Sequence, residues 1–137
     1  MKRREAISAI MTKDPISVNV THKVSEVAEI FNQKKIHHIP VVSGEKLIGI
    51  ISKTDIERIS YVSDLQNDKA NTAIYDMLKI EQVMTNQVDT VQEDDEIRNA
   101  ARKFATGEYH ALPVLEGDKL SGIVTTTDVI KYLLEQY

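Results

Sequence analysis

The sequence predicts an α/β protein (α+β in detail) made of two copies of one unit, and three observations carry that prediction. The chain repeats itself at a constant offset of 73 residues. Each copy holds one amphipathic helical stripe. Each copy also holds two short β-rich runs joined by a glycine turn.

The offset needs no gap. Met11-Thr12 recurs as Met84-Thr85, His37 as His110, Pro40 as Pro113, Gly44 as Gly117, Gly49 as Gly122 and Asp55 as Asp128. Positions 7–59 against 80–132 give 16 identities in 53 positions, where unrelated sequences agree at roughly one in seventeen. Two copies suggest a closed pseudo-symmetric pair rather than an open solenoid. A unit of about 55 residues buries little surface alone, so the two are expected to pack through their sheets. The boundaries read as 1–62 for the first domain, 63–79 for a connector and 80–137 for the second.

Within a unit the order is strand, helix, strand, strand, helix. Ile16 to Val20 and Asp89 to Glu93 read as short strands. Thr21 and Asp94 are placed to cap the helices that follow. Val24, Val27, Ala28 and Phe31 form one helical stripe, and Ile97, Ala100, Ala101 and Phe104 repeat it. Ile39-Pro40-Val41-Val42 is a strand whose proline suits an edge or a strand start. Gly44 and Gly117 mark turns. Leu47 to Ile51 and Leu120 to Val124 are the next strands. Gly49 and Gly122 inside them imply a bulge or a close backbone approach. Thr54 with Glu57 fits a capping box, and Thr127 caps its helix without a reciprocal partner. The connector is polar from Ser63 to Thr72 and helical from Ala73 to Leu78. Met11 and Met84 read as core fillers.

Composition narrows the function. The net charge is -4, which argues against general nucleic-acid binding. The apolar runs are too short to cross a bilayer, and no secretion signal follows the basic start. The absence of cysteine removes disulfide and thiolate chemistry, and a cytoplasmic location is expected. No nucleophile elbow, phosphate loop or zinc-protease motif occurs, so no catalytic residue, catalytic cofactor or metal is assigned. His37, His38 and His110 match no common zinc spacing. Asp94-Asp95-Glu96 is explained by a helix dipole.

The ordered set of motifs closely resembles the cystathionine β-synthase (CBS) domain. It comprises Met-Thr, then His-x-x-Pro-Val-Val, a turn glycine, Leu-Ile-Gly-Ile-Ile and Ser-Lys-Thr-Asp. Two in tandem resemble a stand-alone Bateman module. That resemblance covers nearly the whole chain. It implies two clefts, each drawing on both repeats, that hold AMP, ADP, ATP or S-adenosylmethionine and regulate a partner. It implies no enzyme activity in this chain. With nothing else fused, the output acts on an unknown protein in trans or through a homodimer. The alternative is an interaction or scaffold module with empty clefts.

The family's ribose pattern stands here as Ser52-Lys53-Thr54-Asp55 and Thr125-Thr126-Thr127-Asp128. An ionised carboxylate can accept from two adjacent ribose hydroxyls, and hydroxyls with helix N–H groups can receive phosphate. The plain alternative is helix capping. One cleft is expected to combine Thr12, Ile16, Ile36, His37, His38, Thr125, Thr127 and Asp128. The other combines Thr85, Asp89, Tyr109, His110, Ala111, Ser52, Thr54 and Asp55. His37 and His110 either donate to a phosphate or hydrogen-bond structurally. Lys53, Lys23, Arg98 and Arg102 either meet phosphate or sit on solvated helix faces. Ile16 is matched in the second repeat by Asp89, and a carboxylate there is expected to repel phosphate. The cleft holding Asp128 is therefore expected to bind better.

Overall fold

The structure is a computed structural model that describes residues 5–61 and 73–137. The polar connector stretch from Ser63 to Thr72 lies outside the described residues. The chain divides into two compact units. The N-unit is Ile16–Gln87. The C-unit joins the N-terminal segment through Pro15 to Val88–Tyr137. Each unit therefore takes its leading segment from the other repeat.

The N-unit holds β2 (Val18–Asn19), α1 (Val24–Gln33), β3 (His38–Ser43), β4 (Lys46–Ser52), α2 (Lys53–Tyr61) and the short α3 (Ile80–Val83). The C-unit holds a 3-10 turn (Ile7–Ala9), β1 (Thr12–Lys13), β5 (Val91–Gln92), α4 (Ile97–Thr106), β6 (Ala111–Glu116), β7 (Lys119–Thr125) and α5 (Thr126–Glu135). Both contain the expected strand–helix–strand–strand–helix order. Residues 73–76 are helical, which is the first part of the expected connector helix.

The sheets match strand for strand. In the N-unit β2 runs parallel to β3, and β3 antiparallel to β4. In the C-unit β5 runs parallel to β6, and β6 antiparallel to β7. The strands at 16–20 and 89–93 are shorter than expected, with two residues each in ladder register. Gly44 and Gly117 turn the hairpins at φ 66° and 65°, a region glycine enters without a Cβ penalty.

Gly49 and Gly122 answer both expectations made of them. The β3–β4 register shifts between Val41 and Val42, next to the Val41–Gly49 pair, and the β6–β7 register shifts at the matching place. A Cβ on Gly122 would lie 2.5 Å from Met11 Sδ and 2.8 Å from the Thr12 carbonyl oxygen. One on Gly49 would lie 2.4 Å from Met84 Sδ and 2.9 Å from the Thr85 carbonyl oxygen. The glycines therefore let the Met-Thr segment lie across the strand. In the C-unit that segment is β1, antiparallel to β7 with Thr12 opposite Ile123. In the N-unit Ile50 and Thr85 exchange both backbone hydrogen bonds, at 3.1 and 2.9 Å.

The cores follow the same exchange. The N-unit buries Val24, Val27, Ala28 and Phe31 of the α1 stripe with Ile39, Val41, Ile51 and Ile80. The C-unit buries Ile97 and Ala100 of the α4 stripe with Leu112, Val114, Val124 and Ile7. Ala101 and Phe104 are only partly buried there. Ile7 and Ile80 are repeat equivalents and are 0% and 1% exposed. Met11 and Met84 pack on these cores as fillers.

The helix caps correct the sequence expectation. Thr21 and Asp94 stand two residues too early: α1 and α4 start after Lys23 and Glu96, neither of which caps through its side chain. Thr21 instead donates its N–H and hydroxyl to Asn19 Oδ1. At α1 the Glu26 carboxylate accepts the Lys23 N–H at 3.2 Å, which satisfies one free donor. Thr54 and Thr127 are not caps. The strands end at Ser52 and Thr125, and those residues do the capping.

Candidate functional site

The topology gathers the candidate residues at one end of each sheet. In the C-unit the parallel strands β5 and β6 begin where antiparallel β7 ends and α5 begins. Asp89, Tyr109 to Ala111 and Thr125 to Asp128 therefore lie at that end. The Thr126 N–H donates to the His110 carbonyl at 3.0 Å, fixing the 109–111 stretch beside the helix N-terminus. Thr12 enters the same unit on β1. The N-unit repeats the arrangement with Ile16, Ile36 to His38 and Ser52 to Asp55. There the Lys53 N–H donates to the His37 carbonyl at 2.8 Å, and Thr85 joins through Ile50.

Thr12 shares a unit with Thr125, Thr127 and Asp128, whereas Ile16 and Ile36 to His38, expected to combine with them, belong to the N-unit. Thr85 shares one with Ser52, Thr54 and Asp55, whereas Asp89 and Tyr109 to Ala111, expected to combine with these, belong to the C-unit. The imidazoles of His37 and His110 are exposed, while their carbonyls hold the helix starts.

The aspartates have a structural duty. Asp128 Oδ2 accepts the Thr125 N–H at 2.9 Å, and Thr125 Oγ1 accepts the Asp128 N–H at 3.2 Å. Asp55 and Ser52 form the same reciprocal box at 2.9 and 3.1 Å. This box uses one carboxylate oxygen only. Among the described residues Asp128 Oδ1 has no protein partner. Asp55 Oδ1 faces Arg58 Nη1 at 3.6 Å, a pair in which the arginine is 74% exposed. Thr54 and Thr127 are exposed and, relieved of capping, keep their hydroxyls for another partner.

The largest departure from expectation is Asp89. Its carboxylate is not a bare charge. Oδ1 accepts from Lys103 Nζ at 2.8 Å and from the Thr90 N–H at 3.0 Å, while Oδ2 accepts from the Tyr109 hydroxyl at 2.6 Å. The Lys103 and Tyr109 hydrogen bonds hold the carboxyl below its ordinary value. The same bond to Asp89, aided by burial, pushes the Tyr109 hydroxyl up to about 12. A carboxylate neutralised by an adjacent ammonium repels phosphate far less than a lone one, so the expected repulsion loses its physical basis.

Sequence reading missed Lys103 and Gly107. Tyr109 packs its ring edge-on to Phe104, with centroids 6.1 Å apart. A Cβ on Gly107 would lie 2.7 Å from two ring atoms of Tyr109. The signal was present in the repeat. Ile16, Ile30 and Ile36 become Asp89, Lys103 and Tyr109, a joint change from apolar to polar at three equivalent positions.

Other candidates stay at the surface. Arg98 pairs with Glu96 at 3.0 Å, and Asp95 accepts the Gln92 N–H at 2.9 Å. Among the described residues no group of side chains is arranged to hold a metal ion, and no helix is long and apolar enough to cross a membrane.

Comparison with known proteins fits this geometry. The CBS domain model matches residues 7–61 and 80–135, and the chain belongs to that family as a tandem pair. It is 31% identical over 134 residues to a homoserine O-acetyltransferase of Methanohalobium evestigatum, covering 96% of this chain and 24% of that protein. The CBS domain pair of protein MJ0100, solved with 5'-methylthioadenosine and S-adenosyl-L-methionine, superposes with a TM-score of 0.79 at 27% identity. It covers 98% of this chain and 100% of that one. Protein MJ1225 of Methanocaldococcus jannaschii superposes at 0.80 with 29% identity, over 97% of this chain and 49% of the other. The chain spans a quarter to a half of the curated relatives it matches first.

Proposed function

We propose that this chain is a regulatory module that senses an adenosine-containing ligand and signals to a partner, and that it performs no catalysis itself. AMP, ADP, ATP and S-adenosylmethionine are the candidate ligands. The observation that carries the reading is the uncommitted Asp128 Oδ1, beside the exposed Thr127 at the start of α5. One capping bond fixes the carboxylate, and the other oxygen can accept ribose hydroxyls. Thr12, Ile16, Ile36 to His38, Ser52, Thr54, Asp55, Thr85, Tyr109 to Ala111, Thr125 and Thr127 are the further candidate binding residues. The ligands bound to the MJ0100 pair support this choice of chemistry. Residues 1–62 and 80–137 act as the two domains and 63–79 as their connector, in a cytoplasmic protein.

The thermal unfolding of the chain with each of the four candidates tests this. A ligand at about 100 times its Kd adds roughly 2.7 kcal/mol of stability. An unmoved Tm with all four refutes the reading. Asp128→Asn keeps a capping oxygen but removes the charge. It is expected to weaken binding about tenfold, the loss of one charge-assisted hydrogen bond, with little change in Tm without ligand.

One observation favours a second reading, a homodimeric or scaffold module. Helix α5 exposes Ile130, Leu133 and Leu134 at 55%, 49% and 68%. The equivalent of Ile130 on α2 is the exposed Glu57, so the fold of a unit does not require this apolar face. Sedimentation equilibrium of Ile130→Glu against the unaltered chain tests self-association.

A further inference from the structure

The segment at residues 5–13 docks on the C-unit through residues far away in the chain. Ile7 is 0% exposed and sits in the core with Leu112, Val114 and Val124. The Ile7 N–H donates to the Asp95 carbonyl at 2.8 Å, the Ser8 N–H to the Glu93 carbonyl at 2.9 Å, and the Ile97 N–H to the Glu5 carbonyl at 3.0 Å. Ala6 bridges Glu96, and β1 pairs with β7. The chain then leaves the C-unit at Pro15, and Ile16 begins the N-unit. Asp14 and Pro15 are therefore the whole link between β1 and the N-unit. Asp14 has φ 47°, the one positive φ outside glycine among the described residues. That region crowds the Cβ of an L-residue against the backbone. Pro15 adds to the bias, because the residue before a proline prefers an extended backbone. The crossing between units does not itself require this strain. The chain crosses back between Gln87 and Val88, the repeat equivalents of Asp14 and Pro15, and Gln87 has no positive φ.

We propose that residues 5–13 exchange between two copies of this chain, with Asp14-Pro15 as the hinge. In the exchanged dimer Asp14 takes the extended conformation that Pro15 favours, and the segment of each copy docks on the C-unit of the other. Every docking contact is remade, because the acceptor surface is the same. The balance is set by two relieved hinges against the freedom lost on association, and so by concentration. The exchange leaves the apolar face of α5 unused, which sets it apart from self-association through that helix. It also puts Thr12 of one copy into the unit that holds Thr125, Thr127 and Asp128 of the other. On the nucleotide reading above, that site is then built from two chains; the exchange itself does not depend on that reading.

Cross-linking of the full chain after co-refolding tests the exchange. The chain has no cysteine. Ala6→Cys and Glu96→Cys, at positions opposite each other in an antiparallel bridge, come within reach of a disulfide. Both substitutions in one chain, refolded at low concentration, should form the bond within that chain, which checks its geometry. Placed in separate chains that are mixed, unfolded in urea and refolded together at high concentration, they should give a disulfide-linked dimer of one chain of each kind. Asp14→Gly removes the left-handed penalty. It should lower the association constant on the order of 25-fold, about fivefold at each of the two hinges. It should also melt no lower than the unaltered chain when dilute, so lost exchange is not lost folding. Pro15→Val, which copies Val88, should lower association as well, and Ile130→Glu should leave it unchanged. A co-refolded mixture without the mixed dimer overturns the proposal. So does a mixed dimer that Asp14→Gly and Pro15→Val leave undiminished, or one that Ile130→Glu abolishes.

Discussion

The two units share the devices that shape their hairpins and second helices and differ in the side chains near the candidate site. Both sheets run in the same order, both hairpins turn on a left-handed glycine, and both second helices start with a reciprocal Ser/Thr–Asp box. The pair diverges where the chain approaches that box. The N-unit places Ile16, Ile30 and Ile36 there, and the C-unit places the Asp89–Lys103–Tyr109 network. A duplicated scaffold thus keeps what geometry demands. It is free to vary what geometry tolerates, and the tolerated positions set chemistry.

The shared half of that comparison predicts the largest effects. Gly49→Val and Gly122→Val force a branched side chain into the crossing Met-Thr backbone. Each is expected to cost about 3 kcal/mol or more, and by a similar amount in either unit, as read from urea midpoints. Unequal costs would mean that the two crossings are not energetically equivalent.

Ser52→Ala and Thr125→Ala remove one cap each, at about 1 kcal/mol apiece. Thermal melts should again show near-equal losses. Arg58→Ala is expected to change stability by less than about 0.5 kcal/mol, because the pair it makes with Asp55 is exposed.

The divergent half predicts a pH signature that belongs to the C-unit alone. The Tyr109 hydroxyl ionises near 10 in an unfolded chain but holds its proton to about 12 when folded. Its contribution is therefore complete below pH 10 and is lost as pH rises from 10 to 12. Asp89 has the opposite sign. Its folded value is lowered, so its contribution stands above the ordinary carboxylate value and is lost as pH falls through the lowered one. The difference in Tm between the unaltered chain and Tyr109→Phe should shrink above pH 10 and in strong acid. A difference that is flat with pH would show that the Asp89 bond adds nothing to stability. The effect is reduced by screening, since Asp89 and Lys103 are each more than a third exposed and solvent screens the pair.

Much of this was legible in the residues. The stripe from Val24 to Phe31, the turn glycines and the two strand glycines each have one physical use, and each was found in it. The caps were misread by two residues. Thr54 and Thr127 look like caps because Thr is a good one, but the last ladder pair of each hairpin decides where the helix starts. That pair ends on Ser52 and Thr125. The charge on Asp89 was read in isolation, because an ion pair between positions 89 and 103 depends on how a helix lies over its strand.

By itself the sequence determined the duplication and the order of elements in each unit. These depend on local periodicity and on residue types with few uses. Only the tertiary structure decided that each unit takes its leading segment from the other repeat, burying Ile7 with Leu112 and Ile80 with Ile39. It alone turned Asp89 from a repelling charge into the anchor of Tyr109. Both outcomes depend on contacts between residues distant in the chain, and local patterning carries no information about which distant partner a buried side chain or a charge will meet.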